Sequence, residues 1–248
     1  MASRNYIYLN QNNLDKPIYR IIPASRFVQM LATNDFFLVN PQKWDDPFEN
    51  SLASARIQVG HEVGDFLKKT GVYGQCWTWH KETDAMWRIY SPDKDGVRLM
   101  TTPRRLLTSL QNGVGEHAKC FIGQVQYKRK SALQAYFYEI NLLDASGRGV
   151  AESLLYKGVQ FRHEAEVRLI YCAEEGVHLS EVFGYKISPS HLFGDVLLDP
   201  RMNRVQRNFY TEAMSSLGHT LKMRRSTMYD APSGLKFKLQ DINVSSNT

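Results

Sequence analysis

The 248-residue sequence predicts an α+β domain built around antiparallel sheet, on three observations. Short apolar or alternating runs, bounded by turn residues, recur along the chain and have strand length. Helical patterns fall between them irregularly, unlike the regular alternation of a parallel βαβ fold. Neither G-x-G-x-x-G nor G-x-x-x-x-G-K-[ST] occurs, so the phosphate loops of doubly wound nucleotide-binding folds are missing. No repeat, low-complexity tract or long Gly/Ser linker divides the chain, so residues 1–248 are expected to form a single domain with a frayed tail from about residue 241.

Residues 17–22 read as a short strand, ended by Pro23. Residues 24–33 read as a helix, with Phe27, Met30 and Leu31 at helical spacing. Residues 36–39 form a second strand, and the W-D-D-P-F-E run at 44–49 a turn, because Pro47 biases Asp46 away from helix. Residues 52–69 are expected to be helical in part, ending at Gly71. A strand at 72–79 precedes one or two helical turns at 84–90, with Asp84 as N-cap. After a strand at 96–100, Thr102 and Pro103 open a helix over 103–110. Residues 120–128 read as a strand, 146–149 as a loop, and a short helix follows up to Tyr156. Strands are expected at 161–171, 177–179, 184–187 and 195–200. The strongest helix pattern covers 202–217, closed by Gly218. A strand over 219–228 and another over 235–239 complete the pattern.

Hydrophobic residues make up 43% and charged residues 23%, enough apolar material for a core. No apolar run is long enough to span a membrane, and the first twenty residues lack the apolar region of a signal peptide. A cytoplasmic protein is therefore expected. Three cysteines (Cys76, Cys120 and Cys172), with no C-x-x-C, fit buried reduced thiols rather than a disulfide framework or metal site. The net charge of +6 is spread over Arg104–Arg105, 128–130, Arg201/Arg204/Arg207 and Lys222/Arg224/Arg225. It suits a polyanionic partner or an anionic cofactor, or simply a basic soluble protein.

The stretch F-R-H-E-A-E-V-R-L-I-Y, residues 161–171, is the strongest chemical candidate. Read as a strand, it puts Arg162, Glu164, Glu166 and Arg168 on one face and a mostly apolar set, including His163, on the other. His163 is then a core histidine. The plain alternative is a solvated strand face whose ion pairs are each worth at most about 1 kcal/mol. Other chemistries lack their residues: there is no G-x-S-x-G elbow, no H-E-x-x-H, and the seven histidines are scattered. Adjacent acids on one strand are also not the opposed pair of a glycosidase. At least two of the four tryptophans are expected in the core.

Several stretches in order resemble a known pattern. Tyr19-Arg20 lies on a first strand, followed by D-D-P-F-E (45–49), C-W-T (76–78), M-W-x-x-Y (86–90), E-x-E-x-R (164–168) and V-L-L-D-P (196–200) before a helix. This order resembles a bacterial and phage-borne family of a domain of unknown function, over about residues 19–217. Its members typically show N-D-P-F-E, C-x-S, M-W-x-x-Y and E-x-E-x-R. Here Asp45 stands where Asn is usual and Thr78 where Ser is commoner. That family is in turn similar to the ADP-ribosyltransferase toxin fold, which implies short, mainly antiparallel strands in a split-sheet core with peripheral helices.

The resemblance implies NAD as co-substrate, no metal, and a mono-ADP-ribosyltransferase activity. Glu166 and Glu164 match the catalytic E-x-E; Arg20 matches the first-strand residue beside NAD, and Thr78 (or Tyr90) the middle-strand hydroxyl. Tyr90, Trp87 or Tyr19 would stack on the nicotinamide. The chemistry wants these types: a carboxylate stabilises positive charge on the sugar, a second acid orients the acceptor or takes its proton, and a guanidinium grips a diphosphate. A bacterial toxin or phage-defence effector with a cognate antitoxin partner is the implied setting. The basic balance leans toward RNA or single-stranded nucleic acid as acceptor, with Tyr136, Phe137 and Tyr138 as candidate stacking residues or an ordinary core segment. The alternatives are a protein-modifying transferase, an NAD glycohydrolase, and a catalytically dead nucleic-acid-binding module.

Overall fold

The computed structural model describes residues 5–44, 56–59, 62–65, 71–115, 117–142, 144–173 and 180–236. The D-D-P-F-E run, the expected strand at 177–179, most of 235–239 and the tail lie outside them. The described strands are β1 (Tyr6–Ile7), β2 (Ile18–Pro23), β3 (Asp35–Val39), β4 (Arg56–Val59), β5 (Glu62–Asp65), β6 (Val72–Thr78) and β7 (Gly96–Thr101). They continue with β8 (Lys119–Gln124), β9 (Gln126–Lys128), β10 (Tyr156–Gly158), β11 (Glu166–Cys172), β12 (Val182–Lys186), β13 (Asp195–Leu198) and β14 (Lys222–Arg225).

A ten-stranded sheet runs β1-β8-β11-β6-β2-β7-β13-β14, with β3 also on β6 and β12 on β3. Its pairings are antiparallel except β1 with β8 and β13 with β14. The expected mixed, mainly antiparallel architecture is thus observed. Two small ribbons stand apart, β9 with β10 and β4 with β5.

Local chemistry explains the helices that flank the sheet. Helix Ala24–Thr33 buries Ala24, Phe27, Met30 and Leu31 on one stripe and stops at Asn34, whose left-handed backbone (φ 58°) donates its N–H to Met30. Helix Pro103–Val114 is capped by Thr102, whose hydroxyl accepts from the Arg105 N–H, and buries Leu106, Leu107 and Leu110. Helix Arg204–Ser216 is capped by Asn203 and followed by Gly218 at φ +73°. These helices lie over the larger core, which includes Val167, Leu169 and Tyr171 of β11. Helix Arg148–Ser153 lies over the other face, where Ile170 and Cys172 meet Ile7, Phe121 and Leu155. The middle of the sheet is therefore covered on both sides.

Four expectations are corrected. Residues 56–59 and 62–65 are strands of a hairpin, not helix. Thr83, not Asp84, caps helix Asp84–Tyr90, its hydroxyl accepting from the Met86 N–H. The strand expected at 120–128 breaks at Val125 into β8 and β9, which join different sheets. The strand expected at 161–171 starts only at Glu166, since Val159–Glu164 form a 3-10 helix. This last difference shapes the site.

β6 forks the sheet. On one edge it meets β2 through the single pair Tyr19↔Thr78 and β3 through the single pair Val39↔Gly74. Between these points the two strands diverge, and the Gln75 side chain spans the gap by donating to the Phe37 carbonyl at 2.9 Å. A groove opens over the fork.

Candidate active site

The site is built from the wall of the fork upward. Lys157 sits on β10, opposite Tyr127 of β9. The chain then winds through the 3-10 helix Val159–Glu164, and Ala165 reverses it with a left-handed backbone, φ 45° and ψ 54°. A non-glycine residue there costs roughly 1–2 kcal/mol. The turn brings Glu164 and Glu166 together on Lys157, rather than spacing them along one strand face. Lys157 Nζ donates to Glu164 Oε2 at 2.5 Å and to Glu166 Oε1 at 3.0 Å.

Arg168 closes the arrangement. Its Nε and Nη2 reach Glu166 Oε2 at 2.6 and 2.5 Å, and Nη1 donates to the Leu154 carbonyl at 2.7 Å. Its guanidinium lies 4.5 Å over the Trp44 ring. Arg168 is 0% and Glu166 6% exposed, so this is no solvated strand face. Tyr127 fixes the backbone, its hydroxyl accepting the Glu166 N–H at 2.8 Å.

These surroundings push the two acids apart. Burial raises the pKa of Glu166, but the cations of Arg168 and Lys157 outweigh it and hold the carboxyl down at about 2. Glu164 is raised to about 7, first by burial and then by the neighbouring Glu166, with Lys157 opposing. One acid is ionised throughout the physiological range, while the other can take up or release a proton near neutrality. Such a divided pair has the form of an electrostatic stabiliser beside an acid or base.

Both carboxylates face the open groove at the fork, which has a volume of about 430 Å³. A narrower extension of about 130 Å³ runs toward Tyr19 and Met86. Arg20, Cys76, Tyr90, Glu164 and Glu166 border both spaces. Arg20 comes from β2, beyond the fork. Its Nη1 is buried with no hydrogen-bond partner among the described residues. Burial lowers its pKa, against the opposing influence of Cys76, Tyr185 and Tyr90. A buried donor without an acceptor is costly, and an anion entering the groove would supply the missing acceptor.

No family model matches the sequence, and no curated protein matches it. Solved structures of DarT from Thermus sp. 2.9 are similar to the chain at 10% identity. The complex with NAD+ has a TM-score of 0.41 and covers 88% of this chain and 97% of that one. The complex with ADP-ribosylated ssDNA has a TM-score of 0.40, covering 88% and 95%.

The structure brings Glu166, Glu164, Arg20 and Tyr90 to both spaces, Tyr19 and Thr78 to the narrow extension, and Trp87 to neither. Tyr90 is 41% exposed at the rim, and burial followed by the two glutamates raises its pKa to about 12. Thr78 borders the extension and its hydroxyl is already engaged: it donates to the Glu164 carbonyl at 2.6 Å and accepts from the His80 N–H at 3.1 Å. It anchors the turn that carries Glu164. Tyr19 borders the narrow extension but is largely buried, with the Arg98 guanidinium 4.7 Å over its ring. Trp87 is 0% exposed, and its indole N–H donates to Glu82 at 2.8 Å, so the expectation that it stacks on a ligand is corrected.

His163 is exposed in the 3-10 turn, not in the core, because the strand period fails there. Trp77 and Trp87 are core residues, meeting the expected two of four. Cys120 and Cys172 are buried, with thiols pushed up to about 12 by burial. Cys76 is half-buried and borders the groove, which corrects the reading of three buried thiols. Tyr136 lies on helix Lys130–Glu139 and is engaged with Tyr156, while the side chains of Phe137 and Tyr138 lie outside the described residues.

Lys157, Tyr127 and Trp44 were not picked out by sequence as site residues. The Y-K-G of β10 is a short, unremarkable run, and only its pairing with β9 aims the lysine at the two acids. Among the described residues, no group of three or more His, Cys, Asp or Glu side chains could hold a metal ion. Among them too, no helix is long and apolar enough to cross a membrane.

Proposed function

We propose that the protein is an NAD-dependent ADP-ribosyltransferase working in the groove at the fork of the sheet. The observation that carries this reading is the meeting of a deeply set, ionised Glu166 with the orphaned Arg20 Nη1 around one open space. The residues fit the dinucleotide: Arg20 offers an unused donor to its diphosphate, and Tyr90 offers a partly exposed ring to its nicotinamide. The divergence of β2 and β3 from β6 agrees with the split-sheet core that the sequence resemblance implies.

Bound NAD supplies an ADP-ribosyl group whose anomeric carbon gains positive charge as the bond to nicotinamide breaks and its electron pair leaves with the ring nitrogen. Glu166 offsets that charge, held in place by Lys157, Arg168 and the Tyr127 hydroxyl. Glu164 takes the proton of the acceptor nucleophile as the new bond to the anomeric carbon forms. Thr78 positions Glu164 through its backbone carbonyl. The acceptor is single-stranded nucleic acid, DNA or RNA, a reading supported by the net charge of +6. A toxin or phage-defence role, with an inhibitory partner protein in the same cell, is the setting that the motif order implies.

The test follows the label from NAD labelled in its adenylate half, incubated with the protein, single-stranded DNA, RNA and cell lysate. The proposal expects label in nucleic acid. Label in protein would leave the transferase and replace the acceptor, and free ADP-ribose alone would make the enzyme a glycohydrolase. Untouched NAD would overturn the reading. The pH dependence is a second check: a base must be ionised to act, so turnover rises with pH through a midpoint near 7, the value to which Glu164 is shifted. Glu164→Gln removes that limb.

A further inference from the structure

A second, open groove lies between helix Pro103–Val114 and segment 186–192, with a volume of about 550 Å³. It shares no bordering residue with the carboxylate groove. The inner face of the helix is apolar and packed into the core through Leu106, Leu107 and Leu110, so its outer face is free to serve something else. That face presents Arg104, Arg105, Thr108 and Asn112, spaced to project from one side. Lys186 and His191 stand on the opposite wall. Among the described residues, no acidic side chain borders the groove.

The cations are held in different ways. Arg104 makes a bidentate pair with Asp15 at 2.8 and 2.9 Å, which fixes its plane. Lys186 reaches Asp35 at 2.9 Å. The arginine, the lysine and Asp15 are substantially exposed, so these pairs contribute little and leave both cations able to attract a further anion. Arg105 has no ion-pair partner among the described residues. The His191 ring is braced by the Ser188 hydroxyl at 2.8 Å.

From these features we infer that this groove is a phosphate-backbone site that holds single-stranded nucleic acid independently of the carboxylate groove. Arg105 and Asn112 are seven positions apart on the helix, about 10 Å along its axis, which is longer than one phosphate. Cations interleaved with a hydroxyl and an amide match the acceptor oxygens of successive phosphodiesters. Among the described residues no Phe, Tyr or Trp borders the groove, so it grips the backbone rather than offering a stacking platform for bases. An acidic peptide would also meet these cations through its carboxylates, but the length of the wall and the hydroxyl and amide between the charges match a chain of phosphodiesters better, and polyglutamate is the competitor that separates the two.

The experiment titrates a labelled single-stranded DNA oligonucleotide into the full chain across a salt series, with inorganic phosphate and polyglutamate as competitors. The wild type is expected to bind with steep salt dependence, displaced by neither competitor at matched charge concentration. In Arg105→Ala/Lys186→Ala the slope of log affinity against log salt flattens by about 1.4, with a loss of roughly 25-fold at about 0.1 M salt. Asn112→Lys adds a cation to the same wall and tightens binding, a gain that misfolding cannot mimic. Arg204→Ala/Arg207→Ala, outside the groove, leaves affinity unchanged. Unchanged affinity and slope in the first variant would overturn the inference, as would no tightening by Asn112→Lys. Equal displacement by phosphate or polyglutamate would do the same. NAD turnover without nucleic acid stays at the wild-type rate in all these variants, so the outcome is separable from that of the catalytic reading.

Discussion

Lys157 is the residue on which the site's electrostatics turn. It faces two carboxylates at 2.5 and 3.0 Å, in a place too buried for water to share the task. Glu166 keeps Arg168 as a second cation, whereas Glu164 has only Lys157 among the ion pairs of the described residues. Lys157→Met therefore acts mainly on Glu164: burial and the repulsion of Glu166 go unopposed, and its pKa rises above 7. The ascending limb of the pH–rate profile is expected to move to higher pH, and Lys157→Arg to bring it back. Breaking a buried pair from one side also costs about 3–5 kcal/mol, readable in a denaturant melt. A limb that stays near pH 7 in the methionine variant would show that Lys157 does not set the proton affinity.

The 3-10 helix Val159–Glu164 and its left-handed exit at Ala165 are the element that makes two acids into a pair. Alternation in the sequence put the two glutamates side by side on one strand face, whereas the turn gathers both on Lys157. The reason is local: left-handed turns are usually announced by Gly or Asn, and alanine gives no such signal. The same blindness produced a core histidine at 163, since a strand period was carried through a helical turn. Where caps and stripes are local the sequence was readable, as in helices Ala24–Thr33, Pro103–Val114 and Arg204–Ser216. A branched side chain at the exit tests the element directly. Ala165→Val is expected to lose more than about 1 kcal/mol of stability, because Val tolerates positive φ poorly, and to reduce turnover by displacing Glu164. Ala165→Gly should keep both. Equal stability of the valine and glycine variants, by chemical denaturation, would contradict the role given to this turn.

At the scale of the molecule, the groove exists because β6 cannot pair with β2 and β3 along one continuous edge. The residue pattern showed the strands and their mainly antiparallel character, while a split sheet was implied only by the family resemblance, because pairing between strands so far apart in the chain leaves no local mark. It likewise showed Arg20 without its isolation, which depends on everything packed around it. That isolation predicts a trade-off. Arg20→Met removes a cation whose buried Nη1 has no hydrogen-bond partner among the described residues, and is expected to raise the melting temperature of the free protein. The same change is expected to abolish the thermal stabilisation by NAD, worth about 2.7 kcal/mol in the wild type at a hundredfold excess over Kd. A variant that is no more stable alone, yet still stabilised by NAD, would remove Arg20 from the binding site.

The most direct measurement is the rate of nicotinamide release from NAD by the wild type and by Glu166→Gln, near pH 8, with melting curves confirming that both are folded. The substitution keeps the shape at position 166 and removes the charge. If that charge stabilises the departing sugar, release slows by about 10²- to 10³-fold; equal rates in two folded proteins would contradict the account.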